Sequence, residues 1–251
     1  MVPQIMKEVI SLNLARQKYV GNNSYNPLVS IRIPTLNRSD LLIERAIPSA
    51  LGQTYRNIEV VIVGDHCTDD TEDKLEKVKS KRTVIFYNLE ERNKYEKELL
   101  KDPEIRWFMG PVRATNKATE LCSGEWVAHL DDDDFWIPSH IQDLLELTQK
   151  GNYEMVYGNY IEVRNGKQKI VENGTSTWFM KKYIADIFKL DPNCWKKKWD
   201  KVSDIDVFMR MKSAQVRMGH LKKVVAYVLP RPGEETVGHD AYIKYNVNAI
   251  Q

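Results

Sequence analysis

The stretch with the clearest chemical potential is a run of four carboxylates, Asp131, Asp132, Asp133 and Asp134, directly after a short apolar segment. Residues 126–130 have the pattern of a buried strand, and Phe135 follows the acidic run. Two like charges ~4 Å apart repel by about 4 kcal/mol at an effective dielectric of 20, so four such charges beside a buried strand call for a cation. Oxygen-rich sites suit magnesium, manganese or calcium, and open α/β sheets bind ligands beyond the carboxyl ends of their strands. We therefore predict a metal site beside a bound substrate; a solvated acidic loop is the alternative.

Several common sites are excluded by their motifs. An EF-hand needs Gly at the sixth and Glu at the twelfth loop position, which counted from Asp131 are Trp136 and Gln142. The sequence contains no phosphate-binding Gly-x-x-x-x-Gly-Lys loop, no Gly-x-Gly-x-x-Gly fingerprint and no Gly-x-Ser-x-Gly elbow. A metal-dependent phosphotransferase with an aspartate nucleophile stays open.

The composition is that of a globular protein, with 42% hydrophobic and 29% charged residues. The formal net charge of +2 points to no nucleic-acid partner. Cys67, Cys122 and Cys194 show neither metal-ligand spacing nor a disulfide framework, which suits a reducing compartment. Because we find no signal peptide and no run of ~20 apolar residues, we expect a cytoplasmic protein and leave open a contact with the inner membrane surface.

The elements that must position the acidic run alternate between strands and helices. Predicted strands cover residues 28–33, 58–63, 83–87 and 126–130, the first ending at Pro34, and the second reads as a continuous β-branched run. Helices follow the first two strands, and a charged, partly helical excursion at residues 88–106 precedes a third helix. This alternation predicts an α/β fold with a mainly parallel sheet and helices on both faces.

The chain is predicted to have a helical appendage at residues 1–26, docked rather than membrane-bound, and a single domain at residues 27–251. We divide that domain into a donor half, residues 27–136, and a smaller mixed α+β acceptor half, residues 137–251. In the second half, Asn165-Gly166 predicts a hairpin, a helix fits residues 204–212, and a last strand fits residues 223–229.

Four motifs in order give the sequence a family resemblance. They are residues 29–38 (VSIRIPTLNR), 49–59 (SALGQTYRNIE), 63–71 (VGDHCTDDT) and 130–134 (LDDDD). Together they resemble the nucleotide-binding half of family 2 glycosyltransferases, which have the Rossmann-like GT-A fold. The resemblance implies an inverting transferase that moves a sugar from a nucleotide-diphosphate donor, with a UDP-sugar favoured, to a glycan or lipid-linked acceptor.

The same resemblance implies roles for particular residues. Asp133, assisted by Asp131, would hold a divalent metal, Mn²⁺ or Mg²⁺, which neutralises the leaving diphosphate as a Lewis acid. Asp132 would lie near the ribose and Asp65 would hydrogen-bond the base, although Asp65 could instead cap a helix. The residues expected to border the nucleotide or to read it from the third helix are Pro34, Thr35, Arg38, Arg113 and Asn116.

Two departures from the family pattern affect nucleotide recognition. Gly64 replaces the first Asp of the usual pair, which leaves base recognition to Asp65 and weakens the case for uridine. Thr115 stands where many members have Arg before Asn116, and Arg113 could take that role from one turn away. Arg113 and Asn116 could equally be exposed helix positions.

The inverting reaction needs a general base within hydrogen-bond reach of the acceptor hydroxyl. By resemblance this base is Asp204, with Ser203 in place of the family's Glu and Arg210 as the closing arginine. Asp206 is the rival, but in a helix it points about 200° away from Asp204, so both cannot face one cleft. Asp204 could also be a helix cap. Because Ser203 replaces Glu, a nucleotide-sugar-binding module without turnover is the alternative function.

The acceptor half offers further candidates whose roles stay open. Trp178, Trp195 and Trp199 could stack on sugar rings or pack in the core. The lysines at 196–198 could face solvent or a phosphorylated, lipid-linked acceptor. Arg231 and His239 could reach the diphosphate from a closing C-terminal loop.

Overall fold

The computed structural model describes residues 3–19, 24–78, 83–197 and 202–247. Its strands, in chain order, are β1 Val29–Thr35, β2 Ile58–Gly64, β3 Thr83–Asn88, β4 Trp126–His129, β5 Phe135–Trp136, β6 Met155–Arg164, β7 Lys167–Glu172, β8 Phe179–Lys181 and β9 Met218–Val228. Within the described residues these nine strands form one sheet in the order β3-β2-β1-β4-β8-β6-β9-β5, and β7 pairs with β6.

The helices alternate with the strands in the first half, as predicted. The α-helices are α1 Gln4–Lys18, α2 Ser39–Leu41, α3 Ile47–Leu51, α4 Thr71–Lys77, α5 Lys94–Leu99, α6 Pro103–Met109, α7 Val112–Leu121, α8 His140–Gly151, α9 Lys182–Ile187, α10 Ser203–Ser213 and α11 Gly238–Ala241. A π-helical turn, Leu42–Ala46, joins α2 to α3, and Pro48 is the second residue of α3. This wider turn lets the helix continue across a proline that would otherwise kink or end it.

Strands β3, β2, β1 and β4 are parallel, and every residue of β1, β2 and β4 is buried. Their side chains alternate between two core clusters: Ile31 and Ile62 face the π-helical turn, α3 and α8, whereas Val61 and Val63 face α1 and α7. Burying each of these side chains contributes roughly 1.5–3 kcal/mol. Helices therefore cover both faces of the sheet, and the predicted fold class is confirmed.

Strand β1 is longer than the sequence suggested, because it continues through Pro34 to Thr35. The even-numbered residues of β1 direct their backbone groups toward β4, as the bond from Leu130 N–H to the Arg32 carbonyl shows. Strand β4 ends at His129, opposite Arg32. No neighbouring strand therefore requires the N–H that Pro34 lacks.

The second half adds antiparallel pairing and extends the same sheet. The predicted hairpin is the β6–β7 pair, and both Asn165 and Gly166 have positive φ, +50° and +73°, as a type I′ turn requires. β9 begins five residues earlier than predicted and runs parallel to β6. Because β8, β6 and β9 continue the sheet of the first half, the division at residue 136 stays a prediction.

The excursion contains two short helices, α5 and α6, and it is where the C-terminal segment docks. Trp107 of α6 contacts His239 and Tyr242, with ring centroids 5.3 and 5.0 Å apart, and the Tyr242 hydroxyl donates to the Pro103 carbonyl. The segment carrying Arg231 is thereby held over the carboxyl end of the sheet.

Helix α1 is docked on the second core cluster. Leu12 is fully buried, Arg16 donates twice to the carboxylate of Glu154, and Glu8 pairs with Arg210 of α10. Across the described residues, every helix is too short or too polar to span a bilayer.

Candidate active site

The four carboxylates predicted as a metal site form a tight turn after Leu130, hereafter the acidic turn, at the carboxyl ends of β1 and β4. The turn closes through a bond from Asp134 N–H to the Asp131 carbonyl, 3.2 Å. Hydroxyl and cationic groups from both halves of the chain surround it. The acidic turn is thus a built site rather than a solvated loop.

Asp132 is held by the residues that follow β1. Thr35 Oγ1 donates to Asp132 Oδ2 at 2.7 Å, and Arg38 Nη1 donates to Oδ1 at 2.9 Å. The carboxylate is almost fully buried, and burial together with the neighbouring Asp133 raises its pKa despite the charge of Arg38. The structure therefore brings together Thr35, Arg38 and Asp132, as predicted; Pro34 is buried in β1 directly before them.

Asp133, the predicted principal metal ligand, is paired with arginines. Nε and Nη2 of Arg231 each lie 2.8 Å from Asp133 Oδ2, and Arg38 Nη1 lies 3.7 Å from the same oxygen. Arg45, on the π-helical turn, donates to the carbonyls of Asp133, Leu229 and Pro230 and so ties the C-terminal segment to the acidic turn.

Asp131 lies at the end of a buried polar chain. Arg32 Nε donates to His129 Nδ1 at 3.0 Å, so Nδ1 accepts and Nε2 is left to donate to Asp131 Oδ1, also 3.0 Å away. Thr175 Oγ1 donates to the other carboxylate oxygen at 2.8 Å, and Ser176 Oγ lies 3.3 Å from the same atom. Although burial opposes ionisation, His129 and these hydroxyls lower the pKa of Asp131 to about 2. Burial alone lowers the pKa of Arg32 to about 10.

Asp134 is the carboxyl that faces inward. It accepts a hydrogen bond from Ser176 Oγ at 2.6 Å and is buried. Burial, followed by the charges of Asp133 and Asp131, raises the pKa of Asp134 well above its usual range. The acidic turn thus contains one carboxyl that ionises readily, Asp131, and two whose ionisation is opposed, Asp132 and Asp134.

Asp65, the predicted base-reading residue, is buried after β2 and clamped by the excursion. Nε and Nη2 of Arg92 bind its Oδ2 at 3.1 and 2.5 Å. Its Oδ1 lies 3.7 Å from Nη1 of Arg113, and neither atom has a hydrogen-bond partner. This buried acceptor and buried donor, side by side, are free to contact a ligand or water at the carboxyl edge of the sheet.

The departure at Gly64 has a steric cause. A Cβ built there would lie 2.6 Å from Asn88 Oδ1 and 2.9 Å from Cys67 Sγ. The Asn88 amide uses both of its ends to hold the backbone of Cys67. His66, next in the turn, has φ +64°, so His66 and Cys67 shape the loop that presents Asp65.

Asn116 and Thr115 on α7 have different environments. The Asn116 amide donates to the Leu190 carbonyl and accepts from the Leu190 N–H, so both of its ends are bonded within the protein. Thr115 is buried with an unpartnered hydroxyl. Arg113, and not Asn116, is therefore the α7 residue that the structure brings to Asp65.

The two candidate general bases on α10, Asp204 and Asp206, differ in their bonding partners. Asp206 is buried and pairs with Lys197 and Arg210. Asp204 is half-buried, and among the described residues its carboxylate accepts a bond from the adjacent Ile205 N–H. Burial raises the pKa of Asp204, and the negative charge of Asp131 adds to this effect. Helix α10 begins at Ser203 with Val202 before it, so Asp204 is not its capping residue.

The tryptophans and lysines considered as acceptor contacts also differ in their surroundings. Trp178 is 3% exposed and packs in the core, with its Nε1 bonded to Asn173, so a stacking role for it is wrong. Trp195 lies under Lys196, and Lys197 is in the ion pair with Asp206. Lys198 and Trp199 lie outside the described residues.

Three residues that contact the candidate site were not indicated by the motifs: Arg45, Arg92 and Ser176. Arg92 lay in an excursion without a recognisable motif, and Ser176 in a loop whose partners are about forty residues away. For Arg45 one signal was available: it is an arginine in the helix predicted after the first strand, where a turn can face the carboxyl edge of the sheet.

The donor set suits a hard divalent cation, because the acidic turn offers carboxylate oxygens, and Asp131 and Asp133 retain exposed surface. Within the described ranges no group of three or more His, Cys, Asp or Glu side chains is arranged to hold a metal. Binding at Asp133 Oδ2 would require Arg231 to give way.

The sequence model described as "Glycosyl transferase family 2" matches residues 30–101 and 103–201. The chain belongs to this family. The match includes both the acidic turn and Asp65.

Among curated relatives, a protein of Escherichia coli named UDP-Glc:alpha-D-GlcNAc-diphosphoundecaprenol beta-1,3-glucosyltransferase WfaP is 34% identical over 133 residues, 53% of this chain and 46% of its own length. The GalNAc(5)-diNAcBac-PP-undecaprenol beta-1,3-glucosyltransferase of Campylobacter jejuni is 26% identical over 174 residues, 65% and 51% of the two chains. The chain spans about half the length of these curated relatives.

Solved structures support the GT-A fold. Staphylococcus aureus TarS 1–349 in complex with UDP has a TM-score of 0.63 at 19% identity, covering 81% of this chain and 61% of that one. The mannosyltransferase PcManGT from Pyrobaculum calidifontis, in complex with GDP-Man and Mn²⁺, has a TM-score of 0.62 at 14% identity, covering 98% and 69%.

Proposed function

We propose that this chain transfers a sugar from a nucleotide-diphosphate donor to an acceptor hydroxyl, with inversion at the sugar carbon. The observation that carries the proposal is the acidic turn, joined to Thr35 and Arg38 on one side and approached by Asp204 on the other. These are the parts that a direct displacement needs: a donor clamp and a base.

The nucleotide would lie along the carboxyl edge of β1 and β2. Asp65 Oδ1 accepts and Arg113 Nη1 donates, so the pair complements a base edge with an N–H beside a carbonyl, as in uracil or guanine. A UDP-sugar is the favoured donor, because TarS is described in complex with UDP and two relatives are named as UDP-glucose transferases.

A divalent metal, Mn²⁺ or Mg²⁺, would be held by Asp131 and Asp133 and would neutralise the leaving diphosphate when bound. Support comes from the donor set and from the Mn²⁺ complex of PcManGT. Arg38 and Arg231 add fixed positive charge at the same place.

In the reaction Asp204 accepts the proton of the acceptor hydroxyl. That oxygen forms a bond to the sugar carbon while the bond from this carbon to the diphosphate breaks, and the nucleoside diphosphate leaves. Burial raises the pKa of Asp204 and thereby makes it a stronger base than an exposed carboxylate. Displacement from the opposite face inverts the configuration.

The acceptor is proposed to be a lipid-linked glycan, because the named E. coli and C. jejuni relatives act on diphosphoundecaprenol or PP-undecaprenol substrates. Such a substrate would bring the protein to the inner membrane surface. The half of the chain after residue 136, which carries Asp204, would receive it.

The first test is calorimetric titration with UDP and GDP, each with manganese and with EDTA. Metal-dependent binding of one nucleotide, abolished by Asp133→Ala, is the expected result. If neither nucleotide binds, the donor-site assignment is wrong. If the nucleotide binds, with the same affinity in Asp204→Asn, but wild type shows no transfer, the non-catalytic binding module replaces the transferase. If transfer continues unchanged in Asp204→Asn, Asp204 is not the base.

A further inference from the structure

The outward face of helix α1 carries an apolar stripe with no partner in the described protein. Met6, Ile10 and Leu14 recur every four residues and therefore lie on one side of the helix. Their side chains are 54%, 56% and 62% exposed. Single exposed apolar residues are ordinary, but three in line on one helix form a continuous surface.

This stripe does not dock α1 onto the protein. That role belongs to the opposite side, where Leu12 is fully buried and Ile5 and Val9 pack against the second core cluster. The helix thus has two apolar faces, of which the fold uses one. The second face has no structural function within the described chain.

The charges on α1 are distributed as unequally as its apolar groups. The acidic residue of the helix, Glu8, is buried against Arg210, whereas Lys7 and Lys18 are exposed. Along α1, which the structure describes throughout, the exposed residues are apolar, neutral or basic: Gln4, Met6, Lys7, Ile10, Ser11, Asn13, Leu14, Gln17 and Lys18. Tyr19 follows, half-exposed and stacked on Tyr183.

We propose that this face of α1 binds the surface of an anionic lipid bilayer. An apolar stripe flanked by lysines lets a helix lie in the plane of the interface, with lipid phosphates attracting its cations. A second copy of the chain fits less well, because two such faces would bring Lys7 and Lys18 together with like charges.

The position of α1 next to α10 would also suit the reaction, and this part of the inference rests on the proposed function. Glu8 of α1 is bound to Arg210 of α10, and the same helix α10 carries Asp204. A bilayer beneath α1 would therefore contact a helix that is bonded to the one carrying the proposed base. The ion pair of Glu8 with Arg210 would connect the membrane-bound helix α1 to α10.

The test is co-sedimentation of the full chain with vesicles of phosphatidylcholine alone and of phosphatidylcholine mixed with phosphatidylglycerol, without substrates. We expect binding to the anionic vesicles, weakened roughly tenfold or more in a triple variant with Met6→Ser, Ile10→Ser and Leu14→Ser. Lys7→Glu with Lys18→Glu should also weaken it. Ile170→Ser, at a 60% exposed isoleucine on β7, should bind like wild type.

Several outcomes would overturn the inference: no binding of wild type to either vesicle, equal binding by the triple variant, or a concentration-dependent dimer that the triple variant abolishes in analytical ultracentrifugation. Far-UV circular dichroism and thermal melting establish that the triple variant is folded. Nucleotide titration, run separately, tests the donor site, so failure of the membrane surface and failure of the proposed function give different results.

Discussion

The guanidinium of Arg231 covers the carboxylate of Asp133, with Nε and Nη2 each 2.8 Å from Oδ2. The residue predicted to hold a metal is thus already neutralised by a cation from a segment about a hundred residues away along the chain. A guanidinium and a divalent ion cannot share one oxygen without strong repulsion, so the two must exchange.

Replacing Arg231 should therefore strengthen metal binding to the free protein. In Arg231→Gln we expect the affinity for Mn²⁺ to rise about tenfold, or roughly 1.4 kcal/mol, measured by calorimetry without nucleotide. Arg231→Lys, which keeps the charge, is the control and should resemble wild type. Equal Mn²⁺ affinity in wild type and Arg231→Gln would show that the arginine does not compete.

The two acidic residues of α10 should respond in opposite ways. Asp204→Asn should lower the rate of transfer by roughly 10²–10⁴ while leaving donor binding unchanged, as expected for loss of a general base. Asp206→Asn removes one partner of a buried ion-pair network and should cost roughly 2–3 kcal/mol of unfolding free energy in a urea titration. Full activity in Asp204→Asn together with inactivity in a folded Asp206→Asn would reverse the assignment.

The pH dependence of stability provides a second check on Asp204. Burial and the charge of Asp131 raise its folded-state pKa above the unfolded value, so its ionisation opposes folding. The cost is absent below the unfolded pKa and fully present above the folded pKa. Asp204→Asn should therefore be as stable as wild type in acid and more stable near neutrality. Thermal melts of both proteins from acid to neutral pH measure the difference in stability. A difference in Tm that did not change with pH would contradict the buried placement of Asp204 beside Asp131.

Arg92 should act on the nucleotide through Asp65. Arg92→Met frees a buried carboxylate that two guanidinium nitrogens now hold, and we expect nucleotide affinity to fall about tenfold, roughly 1.4 kcal/mol. Calorimetric titration of the nucleotide measures it. Lys97→Met, which breaks an exposed pair with Glu91 in the same segment, should leave the affinity unchanged. Equal effects of the two variants would point to a general disturbance of the excursion.

The buried side chains of Arg32 and His129, which are joined by a hydrogen bond, should stabilise the fold only when both are present. His129→Leu leaves the Arg32 guanidinium buried with fewer partners and should cost roughly 2–3 kcal/mol. Adding Arg32→Met removes the stranded charge, so the double variant should recover much of the loss. A urea denaturation cycle measures the coupling, and simple additivity of the two changes would refute it.

The sequence was most informative where function and local pattern coincide. β-branched runs located β1, β2 and β3, and the position of the acidic run after an apolar strand was enough to place it at a sheet edge. Asp132, Thr35 and Arg38 were brought together as predicted. Each of these inferences depends on residues close in the chain to a strand end.

The rest depended on pairings over long distances in the sequence. No local pattern indicates that Arg92 clamps Asp65, or that the Asn116 amide bonds to the backbone of Leu190 instead of facing the nucleotide edge. The continuation of β1 through Pro34 depends on where β4 ends, which is a property of the assembled sheet. Metal coordination, the general base and the domain division stay predictions.

The docking of Tyr242 and His239 on Trp107 has a consequence for biosynthesis. Asp133 and Arg231 are 98 residues apart in the chain, and the aromatic contact that holds the later segment involves residues translated after Arg231. The parallel strands can form while the ribosome is still adding β9. The acidic turn is therefore translated well before its arginine clamp, and a nascent chain arrested before Arg231 would leave Asp133 without the guanidinium that pairs with it in the finished protein.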